Sequence, residues 1–445
     1  MISVHSLPNG LRVVLETIPF VRSVSFGIWV KNGSRNECEA TNGLSHYIEH
    51  MMFKGTRKRT ARQIADTMDA IGGQLNAFTS RECTCFFSRT LDTQFDTALD
   101  CLQDMFFNSN FDEQDIEKER GVILEELSMF MDSPEELAVE HLHKSVFPAH
   151  PLGLFTVGTE ETIGSFRRDD IMRFFESNYT ADRLVISIAG NIDEAVTLEK
   201  ITAVFGKAEK PRAKAEARPA VYVPGLSLKE KDIEQVHLCL GLPGLPSGAD
   251  ETYALACVST VLGGGMSSRL FQKIREERGL VYSVYSFNQS YEDTGVFQVY
   301  AALGPDNLHE VLELVSGEIK GMFLNKIGRE ELGRVKEQLK SNFLLSLESS
   351  SSRMSSIGRS LLLLDRIVTP DELVRKIDGI TLDKFYEVCE TIFRMDKMSL
   401  SLVGKRVGDM KVARDWEAGQ GRTDASDKLP ERGNTEHKKH QASEH

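Results

Sequence analysis

The chain carries one short segment twice, and this repeat restricts the possible folds more than any other feature of the sequence. Residues 182–190 (DRLVISIAG) and 396–404 (DKMSLSLVG) match at a constant offset of 214, and each follows an amphipathic helical pattern. Both segments predict a β-strand, and both end at a glycine. A chain of 445 residues is also too long for one ordinary domain. The repeat therefore predicts two structurally similar halves of about 200 residues each.

Composition separates a connection and a tail from these halves. We expect residues 1–206 to form the first half and residues 225–409 to form the second. Residues 207–224 are rich in Lys, Ala, Glu, Arg and Pro, which predicts an exposed connection between them. Residues 410–445 contain few apolar side chains, which predicts a disordered tail.

Charge and cysteine usage limit the partners and the compartment. The net charge of −13 argues against nucleic acid as a partner and favours basic peptides. No apolar run approaches the length of a membrane span, and the first residues lack the pattern of a secretion signal or a mitochondrial presequence. The seven cysteines are scattered and include no C-x-x-C motif. We therefore expect reduced thiols in a cytoplasmic protein without a membrane partner.

The most distinctive segment is an H-x-x-E-H motif inside a predicted amphipathic helix. At 100° per residue, His46, Glu49 and His50 share the polar face. The apolar face contains Leu44, Tyr47, Ile48, Met51 and Met52. Imidazoles at i and i+4 can bind one metal ion from successive turns, and this order of residues is the inverted zinc-peptidase motif. On the motif alone, an amphipathic helix with a merely solvated polar face stays the alternative.

A catalytic zinc site needs a third protein ligand as well as a position open to water. The best candidates lie in residues 117–127 (EKERGVILEEL). Glu119 and Glu126 are seven residues apart there, which places them two helical turns along one line at the border of an apolar stripe. Glu117 and Glu125 point elsewhere. From the pattern alone, a solvated surface charge is the favoured interpretation of Glu126.

The motif and the acidic run together resemble the M16 metallopeptidases, which include pitrilysin, insulin-degrading enzyme and mitochondrial processing peptidase. The resemblance rests on residues 43–56 and 119–127, covers nearly the whole chain except the tail, and is best to short, two-repeat bacterial-type members. In this family the third zinc ligand lies inside an E-R-x-V-I-x-x-E run. The resemblance therefore implies Glu126 as the third ligand of one Zn²⁺ per chain. It also implies Glu119 as a supporting carboxylate of the catalytic site.

The resemblance implies a substrate-binding strand in the first half. Residues 73–79 (GQLNAFT) resemble the family's edge strand, which pairs with the substrate backbone. Unpaired N–H and C=O groups of an edge strand can add an extended peptide as a further strand, here at Asn76, Ala77 and Phe78. An ordinary hairpin would explain the same residues.

The second half contains a segment that resembles another sequence signature of this family. Residues 263–283 resemble the C-terminal segment in which an arginine and a tyrosine position the substrate. The resemblance implies that Arg275 and Tyr282 are this pair. A guanidinium and a phenol can hold a scissile carbonyl or its oxyanion.

These likenesses imply an α+β fold in which each half is an antiparallel-rich β-sheet with helices packed on one side. They imply a zinc metalloendopeptidase that cleaves extended, unstructured peptides or presequence-like segments, with Glu49 as the proton carrier. The alternative is a non-catalytic partner or core subunit of a heterodimeric M16 protease. Such subunits usually have a degraded motif, whereas His46, Glu49 and His50 are intact. A structural zinc site would usually be rich in Cys, and no Cys lies near this motif.

The resemblance also implies an assembly. Larger family members carry four repeats, which form two bowl-like halves that close over a chamber. This chain has two repeats, so we expect a homodimer, or a heterodimer with a paralogue. In the four-repeat enzymes the arginine and tyrosine of the fourth repeat face the zinc of the first. Arg275 and Tyr282 are therefore expected to act on the zinc site of the partner chain.

Overall fold

The computed structural model describes residues 2–208 and 218–410. The first half contains six strands and eight α-helices in the described region. These elements are β1 (Ile2–Ser6), β2 (Arg12–Thr17), β3 (Ser23–Val30), α1 (Leu44–Met51), α2 (Ala61–Ala70), β4 (Gln74–Thr79), β5 (Thr84–Leu91), α3 (Phe95–Asn108), α4 (Glu113–Met131), α5 (Pro134–Val146), α6 (Glu160–Ser165), α7 (Arg168–Asn178), β6 (Leu184–Gly190) and α8 (Glu194–Phe205).

The second half repeats this scheme without a counterpart of β1. Its described elements are β7 (Leu226–Glu230), β8 (Val236–Pro243), α9 (Thr252–Gly263), a π-helical turn (Phe271–Glu276), β9 (Val281–Ser290), β10 (Gly295–Leu303), α10 (Leu308–Leu324), α11 (Arg329–Ser346), α12 (Ser350–Leu364), α13 (Pro370–Asp378), α14 (Leu382–Ile392) and β11 (Ser399–Gly404). Each half thus forms one β-sheet with several helices.

Apart from the extra edge strand β1, the two sheets have the same strand order. The first runs β1-β2-β6-β3-β5-β4 and the second β7-β11-β8-β10-β9. The β2–β6 and β7–β11 pairs are parallel, and the other neighbouring strands are antiparallel. The repeated sequence segments form β6 and β11, which occupy equivalent positions. The predicted α+β class and the two similar halves are confirmed.

One face of each sheet packs against helices of its own half, as expected. In the first half, Phe26 and Ile186 of the strands share a buried cluster with Ile48 of α1. In the second half, Leu240 of β8 shares a buried cluster with Val258 of α9. The predicted apolar face of α1 therefore packs into the core, and its polar face carries the candidate site residues.

The other face of each sheet is covered by a helix from the other half, which the sequence-based expectation of helices on one side omits. Helix α12 lies on the first sheet, and α5 lies on the second. Glycines allow these close approaches: a Cβ at Gly27 of β3 would lie 2.5 Å from Met354 Sδ, and one at Gly241 of β8 would lie 2.8 Å from a Leu142 methyl carbon. Each half therefore has a core of its own on one face of its sheet, and on the other face a cluster to which both halves contribute.

The turns of the β4–β5 and β9–β10 hairpins also join the halves. The guanidinium of Arg35 pairs with carboxylates of Glu82 (2.7 Å) and Asp293 (2.7 Å). The backbone N–H of Glu292 donates to Glu82 (2.8 Å), and Lys31 pairs with the Glu292 carboxylate (2.8 Å). The end of β4 nearest this turn is consequently fixed against the second half.

The connection is described only in part, because residues 209–217 and the expected tail from 411 to 445 lie outside the described residues. Residues 218–224 have no helix or strand, and they are exposed except at Ala220, Tyr222 and Pro224. Ala220 is buried and its N–H donates to Asp293 (2.8 Å), while the Tyr222 hydroxyl donates to Ser399 (2.6 Å). These polar contacts fasten the segment to the second half.

Among the described residues, no helix has both the length and the apolar composition needed to cross a membrane.

Candidate active site

Helix α1 positions the motif side chains, and its start is built by two unusual contacts. Gly43 has φ of 98°, a left-handed value that favours glycine, and an added Cβ would lie 2.9 Å from Gly158 Cα. The buried Glu37 carboxylate accepts the N–H groups of Gly43 and Ser45, both at 2.8 Å. These contacts satisfy amides that the first turn leaves without helical partners, and they fix where the helix begins.

His46, His50 and Glu126 converge on one point between α1 and α4. One potential ligand atom from each residue lies within 4.8 Å of the other two. Nε2 of His46 is 3.6 Å from one Glu126 oxygen, and Nε2 of His50 is 3.2 Å from the other. Two imidazoles and one carboxylate are a donor set suited to catalytic zinc, so the residues present fit that ion. The two histidines also hold the pKa of the Glu126 carboxyl well below its usual range.

Glu119 supports this cluster from behind. Its buried carboxylate accepts a hydrogen bond from Nδ1 of His50 at 3.2 Å and pairs with Nζ of Lys54 at 2.6 Å. A carboxylate can only accept, so the Glu119 contact favours a hydrogen on Nδ1 of His50, and Nε2 is the atom that faces Glu126 and would face a metal. Lys54 is not among the residues predicted from the sequence, although its position four residues after His50 could have indicated it.

Glu49 lies next to the cluster on the same helix. Its carboxylate accepts a hydrogen bond from Thr79 Oγ1 at 2.6 Å. Burial raises the pKa of Glu49, although this hydrogen bond and the two histidines oppose the rise. A more basic carboxylate is a better proton acceptor near neutral pH. Thr79, the last residue of β4, is a second site residue that the sequence did not predict.

The expected substrate strand β4 lies at the edge of the first sheet. Among the described strands, β4 pairs only with β5. The Ala77 N–H donates to Oδ1 of Asn76 at 2.8 Å, so this amide is occupied by a neighbouring side chain. Phe78 faces away from Thr79 and packs edge-on against Trp29, with ring centroids 5.7 Å apart. One edge of the β4 backbone, with the Asn76 side chain beside it, therefore has no neighbouring strand among the described residues.

Arg275 and Tyr282 lie together in the second half. The Arg275 guanidinium is 5.3 Å from the centre of the Tyr282 ring and 4.8 Å from that of Phe271. The Tyr282 side chain is 76% exposed. Within the described part of the chain, no hydrogen bond, ion pair or ring contact joins this pair to His46, His50 or Glu126. The site residues therefore form two separate groups in one chain.

Comparison with known proteins identifies the family. Residues 12–160 match the family described as Insulinase (Peptidase family M16), and residues 165–339 match the one described as Peptidase M16 inactive domain. The chain belongs to peptidase family M16. The metal cluster lies within the first match, whereas Arg275 and Tyr282 lie within the second.

Relatives in this family match along most of the chain. The protein of Bacillus subtilis called uncharacterized zinc protease YmxG is 42% identical over 89% of this chain and 97% of its own length. A protein of Streptomyces coelicolor, also called an uncharacterized zinc protease, is 39% identical over 90% of this chain and 88% of its own length. These names support a zinc metallopeptidase.

Solved structures show the same fold. The crystal structure of a protease from Helicobacter pylori has a TM-score of 0.85 at 22% identity and covers 91% of this chain and 99% of that one. A crystal structure from Pseudomonas fluorescens, described as a peptidase M16 inactive domain, has a TM-score of 0.86 at 18% identity. It covers 92% of this chain and 98% of that one.

A first prediction concerns zinc binding and distinguishes Glu126 from its neighbour Glu125. Glu126→Gln replaces a charged oxygen ligand by a neutral amide, so zinc affinity should fall by more than the ~10–100-fold typical of losing a supporting group. Glu125→Gln removes the same charge one residue away and should retain zinc. Metal analysis after dialysis against a weak chelator distinguishes the two. Zinc loss from the Glu125 variant but not from the Glu126 variant would show that Glu126 is not the third ligand.

Proposed function

We propose that this chain is a zinc-dependent endopeptidase that cleaves extended, unstructured peptides. The observation that carries this proposal is the convergence of His46, His50 and Glu126 beside a half-buried Glu49. An intact donor set with an adjacent base supports a catalyst over a non-catalytic partner subunit.

Zn²⁺ bound by this cluster would supply Lewis acidity that lowers the pKa of water toward about 7. Glu49 then removes a proton from the attacking water and later delivers it to the leaving amine. Thr79 donates to one Glu49 oxygen and so orients the other for this transfer. Glu119 keeps the His50 ring in the orientation that ligation needs. The chain's own residues thus provide the metal ligands, the base and their alignment.

The free edge of β4 supports an extended substrate. A peptide that adds to this edge forms main-chain hydrogen bonds, which do not depend on its sequence. The Asn76 side chain would first release the Ala77 N–H, and it could then bond to the incoming backbone. The net charge of −13 favours basic peptides as substrates.

The experiment that tests the function is a chelator assay on the purified, zinc-loaded protein. It should hydrolyse an internal bond of a basic, unstructured peptide. A strong chelator should abolish hydrolysis, and added Zn²⁺ should restore it. A preparation with stoichiometric zinc and no hydrolysis of any such peptide would contradict the proposal.

A second prediction follows from strand addition. The protein should cleave unstructured peptides efficiently and leave stably folded globular proteins intact, because a folded chain presents no free extended segment to β4. Mass spectrometry of a reduced, unfolded protein and of its folded form, under identical conditions, checks this. Cleavage of the folded form with the peptides left intact would overturn the assignment of β4.

We also infer that the catalytic unit is a dimer, most simply a homodimer, or else a heterodimer with a paralogue. Thr79, which bonds Glu49, is three residues before Glu82 in the turn that contacts the β9–β10 turn. Tyr282 lies at the other end of β9, eight residues before Ser290, which is about 26 Å of extended strand. This separation within one chain supports Arg275 and Tyr282 acting on the site of a second chain.

We place the protein in the cytoplasm as part of this proposal. All seven cysteines are free thiols, and all except Cys38 are buried. Free thiols are typical of proteins in reducing compartments.

A further inference from the structure

A cavity in the second half lies between α9, α12 and the start of α13. It has a volume of about 320 Å³ and is enclosed by residues 247–253, the last residue of β9, part of α12 and residues 368–373. Cavities that bind small molecules have volumes of roughly 300–1,000 Å³ and are lined mainly by apolar side chains with a few polar groups. None of the lining residues is a metal ligand, the base or an expected substrate-binding residue, so this cavity has no role in the proposed reaction.

The inner surface of the cavity is mainly apolar. Its apolar side chains come from α9, from α12 and from the segment that leads into α13, and all of them are only half-buried. They are Tyr253, Leu363, Leu364, Val368 and Leu373. An apolar group that enters the cavity removes their remaining exposed area from water, and this burial is favourable.

The charges at the cavity are all positive. Two arginines line it, and no Asp or Glu lines it among the described residues. Arg366 is already paired with the Glu372 carboxylate at 2.8 Å. Arg359 is exposed on α12 and forms no hydrogen bond or ion pair with another described residue. The guanidinium of Arg359 is therefore available to an anion that enters the cavity.

Two hydroxyl groups lie on the same cavity surface and are also available. Ser356 precedes Arg359 by three residues on α12, so these two side chains are neighbours on the helix. Ser290 is the last residue of β9. Neither hydroxyl has a hydrogen-bond partner among the described residues. In contrast, the Ser360 hydroxyl accepts from the N–H of Val368 at 3.0 Å and donates to a backbone carbonyl at 2.8 Å.

We propose that this cavity, which we call the α12–α13 pocket, binds a small carboxylic acid with an apolar chain. The planar guanidinium of Arg359 matches a carboxylate through two parallel hydrogen bonds, and a single free cation suits one negative charge. The apolar walls disfavour a fully polar anion such as phosphate, which would lose its hydration without compensation. The proposal is independent of the peptidase function, because no residue of the α12–α13 pocket takes part in it.

The test is calorimetric titration of the zinc-loaded, full-length protein with octanoate. We expect saturable binding of one octanoate per chain. Hexanoate and butanoate should bind more weakly, by up to about fourfold for each CH₂ group removed. Octan-1-ol has the same apolar chain without the charge, and inorganic phosphate has charge without the chain. Each of these two should bind at least about tenfold more weakly than octanoate.

Two variants test the polar and the apolar parts of the α12–α13 pocket separately. Arg359→Gln removes the charge but keeps a long polar side chain, so the Kd for octanoate should rise about tenfold and that for octan-1-ol should not change. Ser356→Leu fills the cavity and should weaken the binding of both compounds. The matched control is Arg62→Gln on α2, because Arg62 is also an exposed helical arginine and does not line the cavity. This control should bind octanoate as the wild type does.

The results can overturn the proposal in several ways. The absence of saturable octanoate binding to the wild-type protein would refute it. Equal octanoate binding in the wild type, Arg359→Gln and Ser356→Leu would place the ligand elsewhere, for example on the zinc ion, and would also refute it. Equal affinity of the wild type for octanoate and octan-1-ol would exclude Arg359 as the carboxylate partner and contradict the proposed ligand class.

Discussion

Glu49→Gln should abolish peptidase activity while the protein keeps its zinc. The substitution preserves the size of the side chain and its hydrogen bond from Thr79, but an amide cannot accept the proton of the attacking water. The metal donors His46, His50 and Glu126 are untouched. A positioned general base contributes about 10²–10⁴-fold, so kcat should fall by at least that factor. Peptide hydrolysis and zinc content, measured on the same preparation, check both halves of the prediction.

The matched control for this variant is Glu117→Gln on α4. Glu117 pairs with Arg120 on the surface and lies away from the metal cluster, so its replacement should leave hydrolysis unchanged. Full activity of Glu49→Gln with stoichiometric zinc would remove Glu49 from the mechanism and require another base.

Helical periodicity was sufficient to predict the geometry inside α1. The spacing of His46, Glu49 and His50 determines that they share one face, because neighbouring turns of a helix are fixed by local geometry. The apolar residues between them are buried as expected. The structure places these polar side chains where the spacing predicted.

The supporting contacts could not be predicted in the same way. Periodicity tells which side of a helix a residue occupies, but not which element packs against that side. The Thr79 bond to Glu49 joins β4 to α1, and the Glu37 bonds to the start of α1 come from a preceding loop. Glu119 and Glu126 were aligned by their spacing, but only the resemblance favoured Glu126 as a ligand over a surface charge.

The sequence analysis also did not predict that α5 and α12 each pack on the sheet of the other half, although the sequence contains a signal for this packing. Gly27 and Gly241 differ by 214, the same offset as the repeated strand segment. A glycine at the same place in two central strands indicates that something approaches both sheets closely. The pattern of one sequence does not show which helix approaches, since that choice depends on packing between distant segments.

Arg275 and Tyr282 form a group apart from the metal cluster of the same chain, so the proposed dimer can be tested by complementation. We expect that two inactive variants will restore activity when they are mixed. One carries Glu49→Gln, and the other carries Arg275→Ala with Tyr282→Ala. In a mixed dimer with action across the interface, the intact Glu49 of one chain meets the intact Arg275 and Tyr282 of the other. Random exchange of equal amounts should return about a quarter of wild-type activity per chain, since half of the dimers are mixed and each has one complete site.

The arrangement within one chain predicts a different result. If Arg275 and Tyr282 act on the zinc site of their own chain, every site in a mixed dimer lacks one component, and mixing restores nothing. Each variant incubated alone through the same exchange procedure is the control. Sedimentation at the assay concentration must show dimers, because the expected recovery requires them. A fully active monomer would contradict the trans arrangement, because one chain alone would then hold a complete site.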